Sequence, residues 1–470
     1  MNVETLLQRH GAPLDPAAPL RAALVGAGEF GAAFVAQARR GGQLHPAVIC
    51  DLDPDRARNS ALAAGYPPDT LHRCPDAASA RSAIERGGLA LIDDVRLLAE
   101  LPVAVVVEAT GDPEAAALTA STAIAAGQHV VIATKEAEVV VGPILARHAK
   151  AQGVVHTLVD GDQPSLLVGL VGWARSLGFE IVCAGKASES DFVGDGTGDG
   201  VTAWGETRNA PGFGGAFHLD PSDLAGSLAR RARAPFPRTT VPDLCEMGIV
   251  ANHTGLLPDR PELHAPIART VELPTLFRPR ADGGLLAARG RVDMFNCLRR
   301  PDELSFAGGV FVVVEAPDAA TGRLLAHKGL PTCPDARYVL LHNPVHLLGA
   351  EALMSALVAT RLGCSTGGAE PRPVVDLVAV AERGLEPGET LAIGVRHAIA
   401  GLGYELRPAA PVRPGQPLPY YLAAGATVRR PVPAGRTLTV EDVDLARDAL
   451  LYRLRRQQDE AFFPGGGTTA

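Results

Sequence analysis

Apolar residues follow two rhythms along this chain. Up to about residue 160, short continuous apolar runs alternate with stretches of helical spacing. Ala22–Val25, Ala47–Cys50, PVAVVVE at Pro102–Glu108, HVVIA at His129–Ala133 and Val154–Val159 have the β-branched, uninterrupted character of strands buried on both faces. Between them, Pro54–Ala64, Pro113–Ala126 and Gly142–Gln152 read as helices. Asp53 can cap the first, with Pro54 at its opening position, and Gly127 closes the second. Repeated strand–helix units of this kind predict a right-handed, doubly wound parallel sheet over residues 20–160. Residues 1–19 form an N-terminal arm that holds a short helix, Val3–His10, and a Pro-rich stretch.

The pattern then changes. Gly161–Gly178 is an amphipathic helix, Phe179–Ala184 a strand ending at Lys186, and Asp191–Gly215 a Gly-rich irregular segment expected to loop over the active site. Helices at Pro221–Ala232 and Pro242–Thr254, a strand at Leu304–Glu315 and a last helix at Glu351–Leu362 complete an α+β region over residues 161–366. This is the expected substrate, catalytic and dimerisation domain. GGAEPRP at Gly367–Pro373 reads as a linker. Beyond it, Val378–Leu391 and Thr427–Val443 echo each other, which predicts a small β-rich domain over residues 374–461, with a disordered tail at 462–470.

One stretch organises the whole. The strand Ala22–Val25 feeds Gly26, Gly28 and Gly31 in the spacing G-x-G-x-x-G, helical spacing follows, and the second strand ends at Asp51, twenty residues after Gly31. A tight turn, a bare backbone beside a pyrophosphate and close helix–strand packing each demand a glycine, while the acid accepts from ribose hydroxyls. The fold expected here is a Rossmann dinucleotide-binding domain, with Gly26, Gly28, Glu29, Phe30, Gly31 and Asp51 at the cofactor. Asp51 favours NAD, whereas Arg56 and Arg58 just beyond it suit NADP, so both stay open.

Composition narrows the function classes. The net charge is −8 and the short basic runs at Arg230–Arg233 and Arg453–Gln458 are isolated, which argues against a nucleic-acid partner. Seven scattered cysteines without a C-x-x-C pair indicate neither a disulfide framework nor a zinc knuckle. No apolar run reaches membrane-spanning length and MNVETLLQRHGAP has no signal-peptide core. A cytoplasmic protein with a small-molecule substrate is expected, as a homo-oligomer, dimer or larger.

VVVEATGDPE at Val105–Glu114 and HVVIATKEAEV at His129–Val139 resemble the cofactor domain of homoserine dehydrogenases. GDQPSLL, GFEIVCAGK, ANHTGLLPD, GGVFVVVE and HNPVHLLGAE are similar to a narrower group, the homoserine-dehydrogenase-like oxidoreductases with a C-terminal SAF (β-clip) domain. Some relatives resemble DRL-type 1-deoxy-D-xylulose 5-phosphate reductoisomerases. The resemblance implies an NAD(P)-dependent oxidoreductase acting on a CH–OH group, and a SAF fold for the C-terminal domain. Where homoserine dehydrogenases carry D-L-x-G-x-D-x-A-R-K, this chain has DLAGSLARR at Asp223–Arg231, without the second Asp and ending in Arg rather than Lys.

The candidate catalytic residues are Lys186, Lys135, Glu136 and His346. Lys186 closes an apolar strand where the substrate region would face the nicotinamide, and a partly desolvated Lys can stabilise an alkoxide or relay its proton. Lys135 and Glu136 follow the strand His129–Ala133, and Thr110 and Gly111 the strand ending at Glu108. Both positions lie at carboxyl ends of strands, where ligands of doubly wound sheets bind, so Thr110, Gly111 and Lys135 join the cofactor set. His346, in HNPVHL, is a candidate acid. Asp160 and Asp162 would matter only for a reductoisomerase, whose chemistry needs a divalent cation. No acidic metal motif appears, and no metal is expected otherwise. The competing reading is a non-catalytic dinucleotide sensor built on the same glycines.

Overall fold

Seven short apolar strands, all parallel, form the first sheet of this computed structural model, which describes residues 2–12, 19–220, 222–368 and 370–464. The Pro-rich part of the arm at 13–18 and the last six tail residues lie outside the described residues. The strands are β1 (Arg21–Val25), β2 (His45–Cys50), β3 (Leu71–Arg73), β4 (Leu89–Ile92), β5 (Val105–Glu108), β6 (His129–Ile132) and β7 (His156–Leu158), in the order β3-β4-β2-β1-β5-β6-β7. Ala22–Leu24 and Val105–Val107 are fully buried, as a central pair of a sheet covered on both faces must be. The chain leaves β1 towards β2 on one side and reaches β5 on the other, so the order reverses between β1 and β5. This is the doubly wound, Rossmann-type arrangement expected.

Six helices accompany these strands: α1 (Val3–His10), α2 (Glu29–Gly41), α3 (Pro54–Ala63), α4 (Ala77–Glu85), α5 (Pro113–Ala125) and α6 (Lys135–Ala151). Three elements, β3, α4 and β4, escape the sequence reading because two are three- and four-residue strands. Helix α6 starts at Lys135, seven residues before the expected Gly142. Gly142-Pro143 reads as a helix start, and in the structure it is a break within a continuous helix. The break is bridged from a distant part of the chain: Ile144 N donates to Gln458 Oε1 (3.2 Å) and Gln458 Nε2 donates to Val140 O (2.9 Å). A side-chain amide thus replaces one rung of the helix ladder. Gln458→Leu leaves a buried N–H and a buried C=O unpaired, so its unfolding free energy should fall by about 2–4 kcal/mol in denaturant titration.

The chain falls into two compact units, Met1–Ser165 with Leu347–Ala470, and Leu166–His346; helix α7 (Gln163–Ser176) spans the boundary. The second unit holds a mixed sheet. Its strands are β8 (Glu180–Ala187), β9 (Phe192–Val193), β10 (Gly200–Ala203), β11 (Glu206–Asn209), β12 (Leu257–Pro258), β13 (Ile267–Ala268), β14 (Arg291–Arg299), β15 (Val310–Glu315) and β16 (Tyr338–Asn343). They run β11-β10-β9-β14-β8-β15-β16, with β12 and β13 also on β14. Four phenylalanines, Phe277, Phe295, Phe306 and Phe311, pack edge and face in its core. Helices α8 (Leu224–Arg231), α9 (Val241–Thr254), α10 (Leu273–Leu276) and α11 (Ala319–His327) belong to this unit. The segment expected to be a loop at 191–215 contains β9, β10 and β11, and the sequence reading overlooks the nine-residue β14.

The chain then returns to the first unit. Helix α12 (Ala352–Leu362), assigned by sequence to the 161–366 region, packs instead on β5, β6 and β7. After it, β17 (Val375–Ala381) and β18 (Leu402–Pro408) pair antiparallel, and β19 (Thr427–Val428) pairs with β20 (Val443–Asp444). The two echoing segments pair with each other: Leu385 and Val432 exchange backbone hydrogen bonds (2.9 and 3.0 Å), and Thr390 bridges Thr427. The last helix, α13 (Leu450–Phe462), packs on α5 and α6. Glu114 accepts from the amides of Leu450 and Leu451 at its start. The fully buried Arg455 is bidentate to Asp376 (2.7 and 2.8 Å) and also donates to Asp459. Among the described residues no helix is long and apolar enough to cross a membrane, and the cysteines are free.

Candidate functional site

The reversal point between β1 and β5 is built by the three glycines, each for a different reason. Gly26 has φ +93°, and a Cβ there would lie 2.4 Å from Ala109 O, so only glycine lets the two strand ends close. A Cβ on Gly31 would lie 2.2 Å from Gly26 O, which fixes α2 against its own loop. At Gly28, the N-cap of α2, a Cβ would meet no atom within 4 Å. Its bare backbone borders open space at a helix N-terminus, and this is the cradle a pyrophosphate requires. Glu29, exposed, and Phe30, half-buried against the core, occupy the first turn of α2.

Asp51 ends β2, buried, with Oδ2 accepting from Ala27 N (2.8 Å) and Oδ1 from Asp53 N (2.9 Å). The carboxylate therefore braces the glycine turn from the end of the second strand. Arg56 reaches to 3.8 Å of it, and Leu52 beside it is an apolar side chain 91% exposed.

The other half of the crevice is organised by a residue the sequence reading leaves out. Glu108, fully buried at the end of β5, accepts from Thr110 N (2.8 Å), Thr110 Oγ1 (2.6 Å) and Thr134 N (3.3 Å). Thr134 Oγ1 in turn accepts from Gly111 N (2.9 Å). One carboxylate thus fastens the loops after β5 and β6 together, and burial raises its pKa above the usual range. Its signal in the sequence is a lone acid closing the apolar run PVAVVVE. Lys135 and Glu136 open α6 immediately after. Lys135, half-buried, lies 3.7 Å from Asp162 Oδ2, while Glu136 is buried, its Oε1 3.4 Å from Nδ1 of His397. The structure therefore brings Thr110, Gly111, Lys135 and Glu136 together at the ends of β5 and β6. Asp160 accepts from Ser165 Oγ (2.6 Å) and Asp162 from Gln163 N (2.9 Å). Among the described residues no group of three His, Cys, Asp or Glu has metal-binding geometry.

In the second unit Lys186 is the centre of a buried ion cluster. Its side chain is 0% exposed, with Nζ 2.8 Å from Asp243 Oδ1, in contact with Glu246 Oε2, and 3.9 Å from Glu189. Helix α9 delivers both buried acids from one face, Asp243 at its third position and Glu246 one turn on. Asp243 also caps this helix, its Oδ2 accepting from Thr240 N (2.8 Å) and Thr240 Oγ1 (2.7 Å). One ammonium held between two carboxylates at near-zero exposure depends on all three charges, because removing any one leaves the others buried without full compensation. Neither acid is singled out by the sequence; the i, i+3 spacing on an apolar helix is the only hint.

Next to it in the sheet, Asp293 on β14 stands opposite Gly185, fully buried. It accepts from the amides of His264, Ala265 and Met294, and burial lifts its pKa from 3.8 to about 6. In the unfolded chain this group ionises near pH 4, in the fold only near pH 6, so its contribution to stability declines as pH rises through that window. Asp293→Asn abolishes this titration. The variant should gain on the wild type in thermal melts between pH 4 and 6, with a constant difference above.

His346 is seated on Gly308, where a Cβ would come 2.0 Å from its Cε1. The Gly308 amide donates to Ser188 O (3.1 Å), which places this imidazole at the exit of β8, beyond Lys186. Arg231, which ends the DLAGSLARR segment, is a structural group: fully buried, it holds Glu272 with two bonds (2.7 and 2.9 Å) and the carbonyls of Ala216, Phe217 and Ile267.

Residues 161–352 match the model of the oxidoreductase DRL catalytic domain. This span, less than half of the chain, includes Lys186, Asp243, Glu246, Asp293 and His346. No curated protein matches the chain. Among solved structures, 37% of the chain is similar to 43% of an NAD-binding oxidoreductase from Klebsiella pneumoniae, at 22% identity and a TM-score of 0.26. A further likeness joins 38% of the chain to 49% of the WlbA dehydrogenase from Bordetella pertussis, solved with NADH and UDP-GlcNAcA (19% identity, TM-score 0.26). Another joins 36% of it to 45% of a DOX-P reductoisomerase solved with NADPH, fosmidomycin and magnesium (16% identity, TM-score 0.27). The chain spans less than half the length of each of these structures, and at these scores they carry no argument about its reaction.

Proposed function

We propose that this chain is an NAD(P)-dependent oxidoreductase that moves a hydride to or from a CH–OH or oxo carbon of a small polar compound, of the sugar-acid or sugar-phosphate type. The observation that carries the reading is the Lys186–Asp243–Glu246 cluster inside the segment that matches the DRL catalytic domain. The glycine cradle supports the cofactor. Gly28 and the first turn of α2 would receive the pyrophosphate, Asp51 the adenine ribose, and Thr110, Gly111 and Lys135 the second nucleotide. NAD and NADP both remain compatible, with Arg56 beside Asp51 as the group for a 2′-phosphate.

The bound nicotinamide supplies the hydride chemistry. The chain's part is proton and charge control. Oxidation of an alcohol releases a proton from its oxygen; Lys186 would first pass one ammonium proton to Asp243 or Glu246 and, as the neutral amine, take the proton from the alcohol. In the reverse direction the ammonium donates it. Near-complete burial makes each of these charges far more effective than in water.

Thermal melting with NAD⁺, NADH, NADP⁺ and NADPH, each alone and with a panel of sugar acids and sugar phosphates, tests the reading. At a hundred times its dissociation constant one cofactor should stabilise the fold by about 2.7 kcal/mol, and one substrate class should enlarge the shift. Absence of any shift with all four dinucleotides would overturn it.

A further inference from the structure

The C-terminal β-rich segment puts an unusual turn onto the β5–β6 end of the dinucleotide crevice. Ile393 and Ile399 bridge each other, Gly394 N donates to Ala398 O (2.7 Å), and Val395, Arg396 and His397 form the tip between them. Arg396 and His397 are both left-handed, with φ +54° and +58°, although neither is glycine. Each such residue is strained, and two in succession persist only where surrounding contacts hold them.

The contacts are with the cofactor loops. His397 Nδ1 lies 3.4 Å from Glu136 Oε1 at the start of α6. The imidazole also covers Gly111, where a Cβ would fall 2.9 Å from its Cε1, so Gly111 is bare partly to admit this ring. The charged groups around it are Glu136 and Lys135, the latter paired with Asp162. Burial and the Lys135 charge hold the imidazole below its ordinary pKa, so at neutral pH it meets Glu136 as a neutral ring. Val395, at 86% exposure, projects from the same tip.

We propose that the tip Val395–His397 is a wall of the dinucleotide site, with His397 as the positioning residue that fixes Glu136 and the Gly111 loop for the nicotinamide half of the cofactor. The proposal rests on the NAD(P) reading above. A dinucleotide crosses the reversal point of a doubly wound sheet, one half on each side. Asp51 and Leu52 mark the adenine side at β2, so the second half falls at β5 and β6, where His397 stands. The C-terminal segment therefore serves the same ligand as the glycine motif more than 350 residues earlier in the sequence.

Isothermal calorimetry of the full chain with NADH or NADPH, and with ADP as a probe for the adenine half, tests this. His397→Ala should weaken the dinucleotide at least tenfold and leave ADP within twofold, and His397→Asn, which keeps a hydrogen-bonding group, should recover most of the loss. Melting curves confirm that each variant is folded. Unchanged dinucleotide affinity in a folded His397→Ala chain, or an equal loss for ADP, overturns the inference while the cofactor reading stands. A wild-type chain that binds no dinucleotide overturns both.

Discussion

Lys186→Met is expected to lower turnover about a thousandfold with the dinucleotide dissociation constant unchanged, the size of effect for loss of a positioned acid–base group. The cofactor cradle lies in the first unit and draws on none of the residues of the ion cluster, so binding is the internal control. The substitution has a second consequence. It strands Asp243 and Glu246, each about 1% exposed, without their cation, and breaking a buried pair in this way costs about 3–5 kcal/mol. The double variant Lys186→Met with Glu246→Gln removes one stranded charge and should regain much of that stability. If the double variant melts near the wild type and still turns over slowly, the lost turnover belongs to the proton chemistry of the cluster and not to its stability. Full turnover in it would reduce the cluster to a structural one.

The second large effect belongs to the glycine turn, and it separates fold from function within three residues. Gly28→Thr should abolish dinucleotide binding, raising the dissociation constant at least a hundredfold, while the melting temperature stays within a few degrees. Gly28 has φ −70°, open space around it and an N-cap role that Thr fills about as well as Gly. The new side chain would occupy the volume that a pyrophosphate needs. Gly26→Ala should do the opposite first. At φ +93° and 2.4 Å from a backbone oxygen it strains the strand ends themselves, so stability falls before binding can be measured. Equal affinity in Gly28→Thr and wild type, read by calorimetry, would remove the crevice from the mechanism.

Much of this is legible in the residues alone. The parallel sheet announces itself because a strand buried on both faces must be continuously apolar, and the glycine turn because three backbone constraints coincide with an acid on schedule. Thr110, Gly111, Lys135 and Glu136 follow from those strands. Other features depend on tertiary partners that no local pattern reveals. The Gly142-Pro143 pair is a helix break by every local rule, and only Gln458, from a helix three hundred residues away, makes it a helix interior. Lys186 shows in the sequence as a polar end to an apolar strand, but its complete burial requires two acids from α9 that have no motif. Helix α12 reads as part of the second unit because its sequence is apolar on nearly every face without saying against what. His397 carries no signal at all.

The first unit is written in two pieces, Met1–Ser165 and Leu347–Ala470, separated by the whole of the second. During synthesis the parallel sheet therefore emerges long before helix α12 that covers it, and before Gln458 of α13 can mend α6. Domains fold as they leave the ribosome, at some 5–20 residues per second, so the inserted unit has its full sequence roughly ten seconds ahead of its host. Closing the host then demands contacts of very high sequence separation, the slowest kind to form. Newly made chains should pass through a stage with an apolar sheet face still bare, when chaperone capture and self-association compete with completion.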